Sequence, residues 1–316
     1  MGKILIAFFL VGVFVLVFAT KHKEMGIASP IPRVFGTLKS SSTINNWFPK
    51  KSIELGRENY NLSLSSNSAI LVDYDTEEII FSKNANLRLP VASTVKIMTA
   101  LVALDVAKLT DVYTVSKNAA NIGENSMGLT EGERLTLEEL LYGMMLVSGN
   151  DAATTIAEGV AGGEDTFVKL MNEKVRTLGL NNTKFINASG LDEDGNGQYS
   201  TAYDLAVTSH YVWEKYPKFG EITSTYHKYI EANGGHKSFD LYNDTNLLTT
   251  YPGVRGIKPG FTWEAGLCLV TYAENSGKRL IGVILGSGDR RGEMKELLDY
   301  GFNSFGIKVS HPDLDL

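Results

Sequence analysis

The chain has 316 residues, 43% of them apolar and 21% charged, with 36 acidic against 30 basic side chains and a formal net charge of −6. That composition fits a globular protein and excludes a collagenous, coiled-coil or wholly disordered chain, and the acidic balance argues against a nucleic-acid partner. The single cysteine, Cys268, excludes an internal disulfide or a cysteine-based zinc cluster, and the five histidines show no His-Glu-x-x-His spacing.

The charge is uneven along the chain. Residues 1–60 hold eight Lys/Arg against three Glu, a balance of +5, which leaves −11 on the remainder. Ile4–Ala19 is an unbroken run of 16 apolar or small residues behind Lys3. It is slightly long for a signal-peptide core and slightly short for a spanning helix. Val17-Phe-Ala19 offers a cleavage site, whereas Thr20 with snorkelling Lys21 and Lys23 would extend the run to anchor length. Either way export is expected, and residues 1–20 read as a signal peptide or an N-terminal membrane anchor. No cysteine follows the run, which excludes a lipoprotein. Residues 21–60 carry Pro30, Pro32 and Lys39-Ser-Ser-Ser-Thr43 with no sustained helical period. They read as a basic linker or stalk suited to anionic lipids or wall polymers.

Residues 61–308 are expected to fold as one domain, with 309–316 a tail. Ser68–Lys83 predicts a hairpin turning at Tyr74–Glu77. Ala92–Leu104 predicts an apolar helix, and Thr136-Leu-Glu-Glu139 is a capping box opening a helix over Leu137–Leu146. Ser148-Gly149-Asn150 interrupts helix, which resumes at Asp151–Val160. Asp165–Leu178 and Ala202–Trp213 predict two more helices. Thr225–Ile230, Val254–Ile257, Leu267–Ala273 and Arg279–Leu285 predict strands, and Arg290–Phe302 a closing amphipathic helix. Consecutive strands without crossovers must pair antiparallel. The expected fold class is α+β: an antiparallel sheet built from both ends of the domain, flanked by helices, with an all-helical subdomain inserted between them.

Three short segments carry chemistry. Ser93 and Lys96 lie three residues apart, so they share a helix face about one turn apart. A lysine amine held neutral by burial and a second cation can take the serine proton, making Ser93 a nucleophile and Lys96 its base. Ser148 and Asn150, in a break between helices, can relay a proton and hold a substrate carbonyl or the lysine. Lys258 offers the second cation, and Gly260 removes a side chain where a substrate backbone would approach. Each segment alone is weak. Ser65-Ser-Asn67, Ser82-Lys-Asn84 and Ser116-Lys-Asn118 repeat the second pattern without partners in register.

In order, at intervals of 55 and 110 residues, the three form the Ser-x-x-Lys, Ser-x-Asn, Lys-x-Gly set of the penicillin-recognising serine enzymes. The chain resembles the D-alanyl-D-alanine carboxypeptidases, the low-molecular-weight penicillin-binding proteins. The resemblance is carried by Leu89–Ala100, Val147–Ala152, Gln198–Ala202 and Leu297–Phe302 and covers about residues 66–306. It implies a β-lactamase/transpeptidase-like fold and a Ser93 acyl-enzyme formed on the penultimate D-alanine of a peptidoglycan stem peptide, with Lys96 as base and Ser148 and Asn150 assisting. It further implies an oxyanion hole from the backbone N–H groups of Ser93 and Phe261. The terminal carboxylate would meet Lys258, Thr262 and either Arg290 or Arg291. β-Lactam antibiotics would be covalent inhibitors, and neither a metal nor an organic cofactor is implied.

Three departures from the family pattern stand out. Pro259 replaces the usual threonine, removing a hydroxyl and a backbone donor, so carboxylate recognition is expected to be altered and Thr262 to compensate. Asn187-Ala-Ser-Gly190 lacks the family's histidine and reads as structural. The chain ends soon after Phe305, without room for a C-terminal β domain and membrane helix, so an uncleaved Ile4–Ala19 is the expected anchor. Alternatives are a D,D-endopeptidase of the same family, a class A-like β-lactamase, and a catalytically silent wall-binding protein. The β-lactamase reading suffers from the absence of a Glu-x-x-x-Asn pattern between Asn150 and Lys258. The silent reading is motivated by Pro259.

Overall fold

The computed structural model describes residues 47–51, 62–192, 197–245 and 247–312. The chain divides into a segment 1–41 and a body 42–316, and all described residues belong to the body. The Ile4–Ala19 run and most of the expected stalk lie outside the described residues.

A six-stranded sheet organises the body. It comprises β1 (Lys50–Lys51), β2 (Ser68–Asp73), β3 (Glu78–Lys83), β8 (Val254–Thr262), β9 (Gly266–Asn275) and β10 (Lys278–Ser287), in the order β1-β3-β2-β10-β9-β8. Between β3 and β8 the chain forms helices α1 (Lys96–Val106), α2 (Lys117–Ala120), α3 (Leu137–Leu146), α4 (Asn150–Ala161), α5 (Glu164–Thr177), α6 (Ala202–Lys215), α7 (Pro217–Ser224) and α8 (Leu247–Thr250). Two small two-stranded sheets, β4 (Val112–Thr114) with β5 (Arg134–Thr136) and β6 (His227–Ile230) with β7 (Phe239–Tyr242), interrupt them, and α9 (Arg290–Asn303) closes the described fold. This is the α+β architecture expected, with the sheet drawn from both ends of the domain.

The sheet forms because β2 and β10 are apolar on both faces. Every residue of β2 is buried, the mark of a central strand covered on each side. Ile70 and Val72 point into the larger core with Ile97, Leu101 and Leu141, whereas Ala69 and Leu71 point into a second core with Met294, Leu297, Leu298 and Phe302. The two-residue alternation of a strand thus divides one segment between two layers. The capping box at Thr136 and Glu139 forms as expected, with Glu139 N–H donating to Thr136 Oγ1 at 3.2 Å and Thr136 N–H donating back at 2.8 Å.

Two expectations are corrected. Thr225–Ile230 does not join the main sheet: its strand, β6, pairs with β7, whose Phe239 and Leu241 are buried while Asp240 and Tyr242 are exposed. The sheet is not wholly antiparallel, because β1 runs parallel to β3 at its edge. A described residue of the 21–60 segment also packs on the body. Trp47 is buried, donates through Nε1 to the Tyr74 carbonyl at 3.0 Å, and stacks on His210 at 4.1 Å between ring centroids.

Candidate active site

The floor of the site is the junction of sheet and helices. Ser93 lies in a 3₁₀ turn, Ala92–Val95, which runs directly into α1 at Lys96. A 3₁₀ turn has three residues per turn and eclipses positions i and i+3, so Ser93 and Lys96 stand one above the other. Their Oγ and Nζ are 2.9 Å apart. Ala92 has φ 48°, a strained value for a residue with a side chain. The strain is held from two directions. A Cβ on Gly190, itself at φ 89°, would stand 2.2 Å from the Ala92 carbonyl oxygen. A Cβ on Gly260 would lie 3.0 Å from Ser93 N. Only glycine lets both segments approach Ser93 so closely.

Lys96 is fully buried. Besides Ser93, its Nζ meets Asn150 Oδ1 at 2.7 Å and the Ser189 carbonyl oxygen. Both of these can only accept. Nζ also donates to Ser93 Oγ, a set of three oxygens that an ammonium satisfies with three N–H groups and that a neutral amine would satisfy with two N–H groups and its lone pair towards the hydroxyl. Burial, and next the nearby Lys258 ammonium, hold the Lys96 pKa well below its ordinary value, against the opposing pull of Asp244, Glu124 and Asp151. Lys258 is equally buried and 3.5 Å from Asp244. Its own pKa is lowered by burial first and by Arg290, against Asp244.

Asn150 opens α4 and is fixed by its second amide group, since Nδ2 donates to the Gly123 carbonyl at 3.0 Å. Ser148 has φ 59°, and this turn is what sets Ser148 and Asn150 side by side at the cleft. Asp151 ties down the facing loop, accepting from Ser126 Oγ at 2.6 Å and from the backbone N–H groups of Met127, Gly128 and Leu129 at 2.8–2.9 Å.

The cleft has a volume of about 320 Å³. One wall carries Glu124, Asn125, Ser148, Asn150 and Asp192; the other carries Pro259–Trp263 and Arg290, with Ser93 below. Arg290 donates to the Gly260 carbonyl at 2.7 Å, which turns its guanidinium along β8. Of the two candidate arginines it alone lines the cleft; Arg291 lines a small cavity behind it with Thr245, Leu247 and Leu269. Pro259 sits on β8, the outer strand of the sheet, where a missing donor is tolerated. Thr262 Oγ1 accepts from Ala265 N–H at 3.1 Å, leaving its own hydrogen free to donate into the cleft.

Sequence reasoning missed Ser189, whose carbonyl holds Lys96, and the closure by Gly190. The Asn187–Gly190 segment does support structure, and it does so against Ala92 and Ser93. The family motif also contains Asp151, whose carboxylate shapes the cleft loop. Nothing in the sequence signalled Glu124, Asp192 or Asp244.

A serine 2.9 Å from a buried lysine whose pKa is lowered, on a helix start below the outer strand of a mixed sheet, is the arrangement of the penicillin-recognising serine acyltransferases. The solved structures agree. A Streptomyces K15 DD-transpeptidase variant superposes with a TM-score of 0.71 at 28% identity, covering 76% of this chain and 99% of its own. Penicillin-binding protein D2 of Listeria monocytogenes, in its ampicillin-bound form, gives 0.68 at 30% identity, covering 77% and 99%. Residues 56–289 match the D-alanyl-D-alanine carboxypeptidase family, peptidase S11, and the chain belongs to that family. The D-alanyl-D-alanine carboxypeptidase DacF of Bacillus subtilis is 38% identical over 265 residues, which cover 81% of this chain and 66% of DacF. The matched region spans about two thirds of the length of the first curated relatives.

Proposed function

We propose that the protein is an exported serine D,D-carboxypeptidase that removes the terminal D-alanine from peptidoglycan stem peptides. The observation that carries this reading is the Lys96 amine, buried, 2.9 Å from Ser93 Oγ and faced by a second buried cation. An amine kept neutral beside a hydroxyl is a base with its substrate proton in place.

In the proposed reaction Ser93 Oγ attacks the carbonyl carbon of the penultimate D-alanine while Lys96 Nζ takes the hydroxyl proton. The oxyanion is held by the backbone N–H groups of Ser93 and Phe261. The C–N bond breaks, the departing D-alanine amine receives a proton by way of Lys96 and Ser148, and water then hydrolyses the ester. Asn150 orients Lys96. Arg290, Thr262 and Lys258 supply positive charge and a hydroxyl for the terminal carboxylate, which offsets the hydroxyl absent at Pro259. β-Lactams would acylate Ser93 in the same way, consistent with the ampicillin-bound relative. We read Ile4–Ala19 as the export signal or anchor; among the described residues no helix is long and apolar enough to cross a membrane.

The test is intact mass of the protein with benzylpenicillin, beside Ser93→Ala, followed by D-alanine release from a soluble pentapeptide and from a cross-linked peptide dimer. A lasting adduct absent in Ser93→Ala, with release from the pentapeptide, is expected. Cleavage of the dimer alone would identify an endopeptidase, and consumption of penicillin without a lasting adduct would identify a β-lactamase. No adduct with intact penicillin would leave only wall binding.

A further inference from the structure

Trp263 is 94% exposed and the neighbouring Phe261 47% exposed, and their rings meet edge to face at 5.6 Å between centroids. Phe261 lies near the end of β8 and Trp263 in the turn that follows it, while Thr262 between them is buried. Both line the cleft that holds Ser93. Trp263 belongs to neither core. Two adjoining aromatic side chains left in water, when a domain ordinarily buries most of such surface, mark a place where something docks.

We propose that this lip binds a sugar ring of the glycan strand from which the stem peptide hangs, an inference that rests on the wall-peptide reading above. With the D-alanine end held at Ser93 and Arg290, the remainder of the peptide leaves through the mouth of the cleft, and the next chemical group along a wall polymer is a hexosamine. Such a ring presents a face of C–H groups, which packs on the electron-rich face of an indole. Its edge presents hydroxyl and amide groups, and the rim answers with exposed acceptors: Glu264 beside Trp263, and Glu124, Asn125 and Asp192 on the opposite wall. These carboxylates also decide against an anionic lipid surface, which favours Lys and Arg around an inserted aromatic. The rim base Arg290 is already turned onto the Gly260 carbonyl.

The experiment compares the full chain with Trp263→Ala on two substrates, a free pentapeptide and the same pentapeptide carried on an N-acetylglucosaminyl-N-acetylmuramyl disaccharide. The variant is expected to lose about tenfold in kcat/KM on the disaccharide substrate, the scale of one aromatic stacking contact, and less than about twofold on the free peptide. Equal losses on both, or none on either, would overturn the proposal. Saturation-transfer NMR of the peptide-free disaccharide with the Ser93→Ala protein decides the matter without catalysis. Transfer is expected with Ser93→Ala and is expected to vanish when Trp263→Ala is added; its absence from Ser93→Ala itself would overturn the proposal. Trp263-dependent recruitment to phosphatidylglycerol vesicles without saccharide transfer would instead assign the lip to lipid. A protein that shows transfer but releases no D-alanine would separate failure of the carboxypeptidase reading from failure of this one.

Discussion

Helix α1 carries a buried charged residue at each end, and the fold treats the two oppositely. At its start Lys96 meets only neutral partners, faces a second buried cation, and sits at the positive end of the helix dipole. At its other end Asp105 is almost equally buried, yet Lys174 and Lys215 pair with it and the Tyr216 hydroxyl donates to it. Burial pushes the Asp105 carboxyl up, but the hydrogen bonds from Lys174, Lys215 and Tyr216 outweigh it and hold the carboxyl below its ordinary range. One helix therefore shows a charge neutralised by its partners and a charge suppressed by their absence. The first arrangement keeps a buried carboxylate ionised; the second lowers the pKa of a buried amine.

The sharpest way to break the contrast is Lys96→Ala, which should slow acylation by benzylpenicillin by a factor on the order of 10² to 10⁴, with an unchanged circular dichroism spectrum. Undiminished acylation would remove Lys96 from its role. His210, sandwiched between Trp47 and Tyr74, is a half-buried base whose pKa is lowered by burial from 6.5 to about 4, against the opposing pull of Glu214 and Asp75. Because the folded value lies below the unfolded one, its contribution is complete above pH 6.5 and is lost as the pH falls towards 4. Chemical denaturation should show His210→Phe removing a pH dependence of roughly 3 kcal/mol across that window, at about 1.4 kcal/mol for each pH unit. At the compensated end, Asp105→Asn should cost about 2 kcal/mol, less than a fully buried pair because Lys215 is partly exposed. Its acylation rate should stay that of the parent, and a fall in rate would show that the two ends of α1 are coupled. The finest test is Lys258→Met. Loss of the second cation raises the Lys96 pKa, so the acidic limb of the acylation rate against pH should move to higher pH. An unmoved limb would leave burial as the sole cause.

Much of the site was legible in the sequence because its chemistry is local. Ser93 with Lys96, Ser148 with Asn150 and Lys258 with Gly260 are each set by a turn or a strand, and their order along the chain fits one fold. The hairpin β2–β3, the capping box at Thr136 and the closing helix were legible for the same reason, since pattern and caps act within a few residues. The placement of Thr225–Ile230 was not, because a β-rich segment does not state its partner, and only the packing of Phe239 and Leu241 gave it one.

The sequence by itself determined the pairing of Ser93 with Lys96 and the order of the elements that carry the candidate site, because short-range geometry fixes these. Tertiary structure alone decided the rest: that the Ser189 carbonyl completes the Lys96 shell, that Arg290 rather than Arg291 enters the cleft, that Asp244 faces Lys258, and that Trp263 stands in water. Each of these depends on which distant segments meet and how much water they exclude, and burial sets both the charge state of a lysine and the availability of an indole.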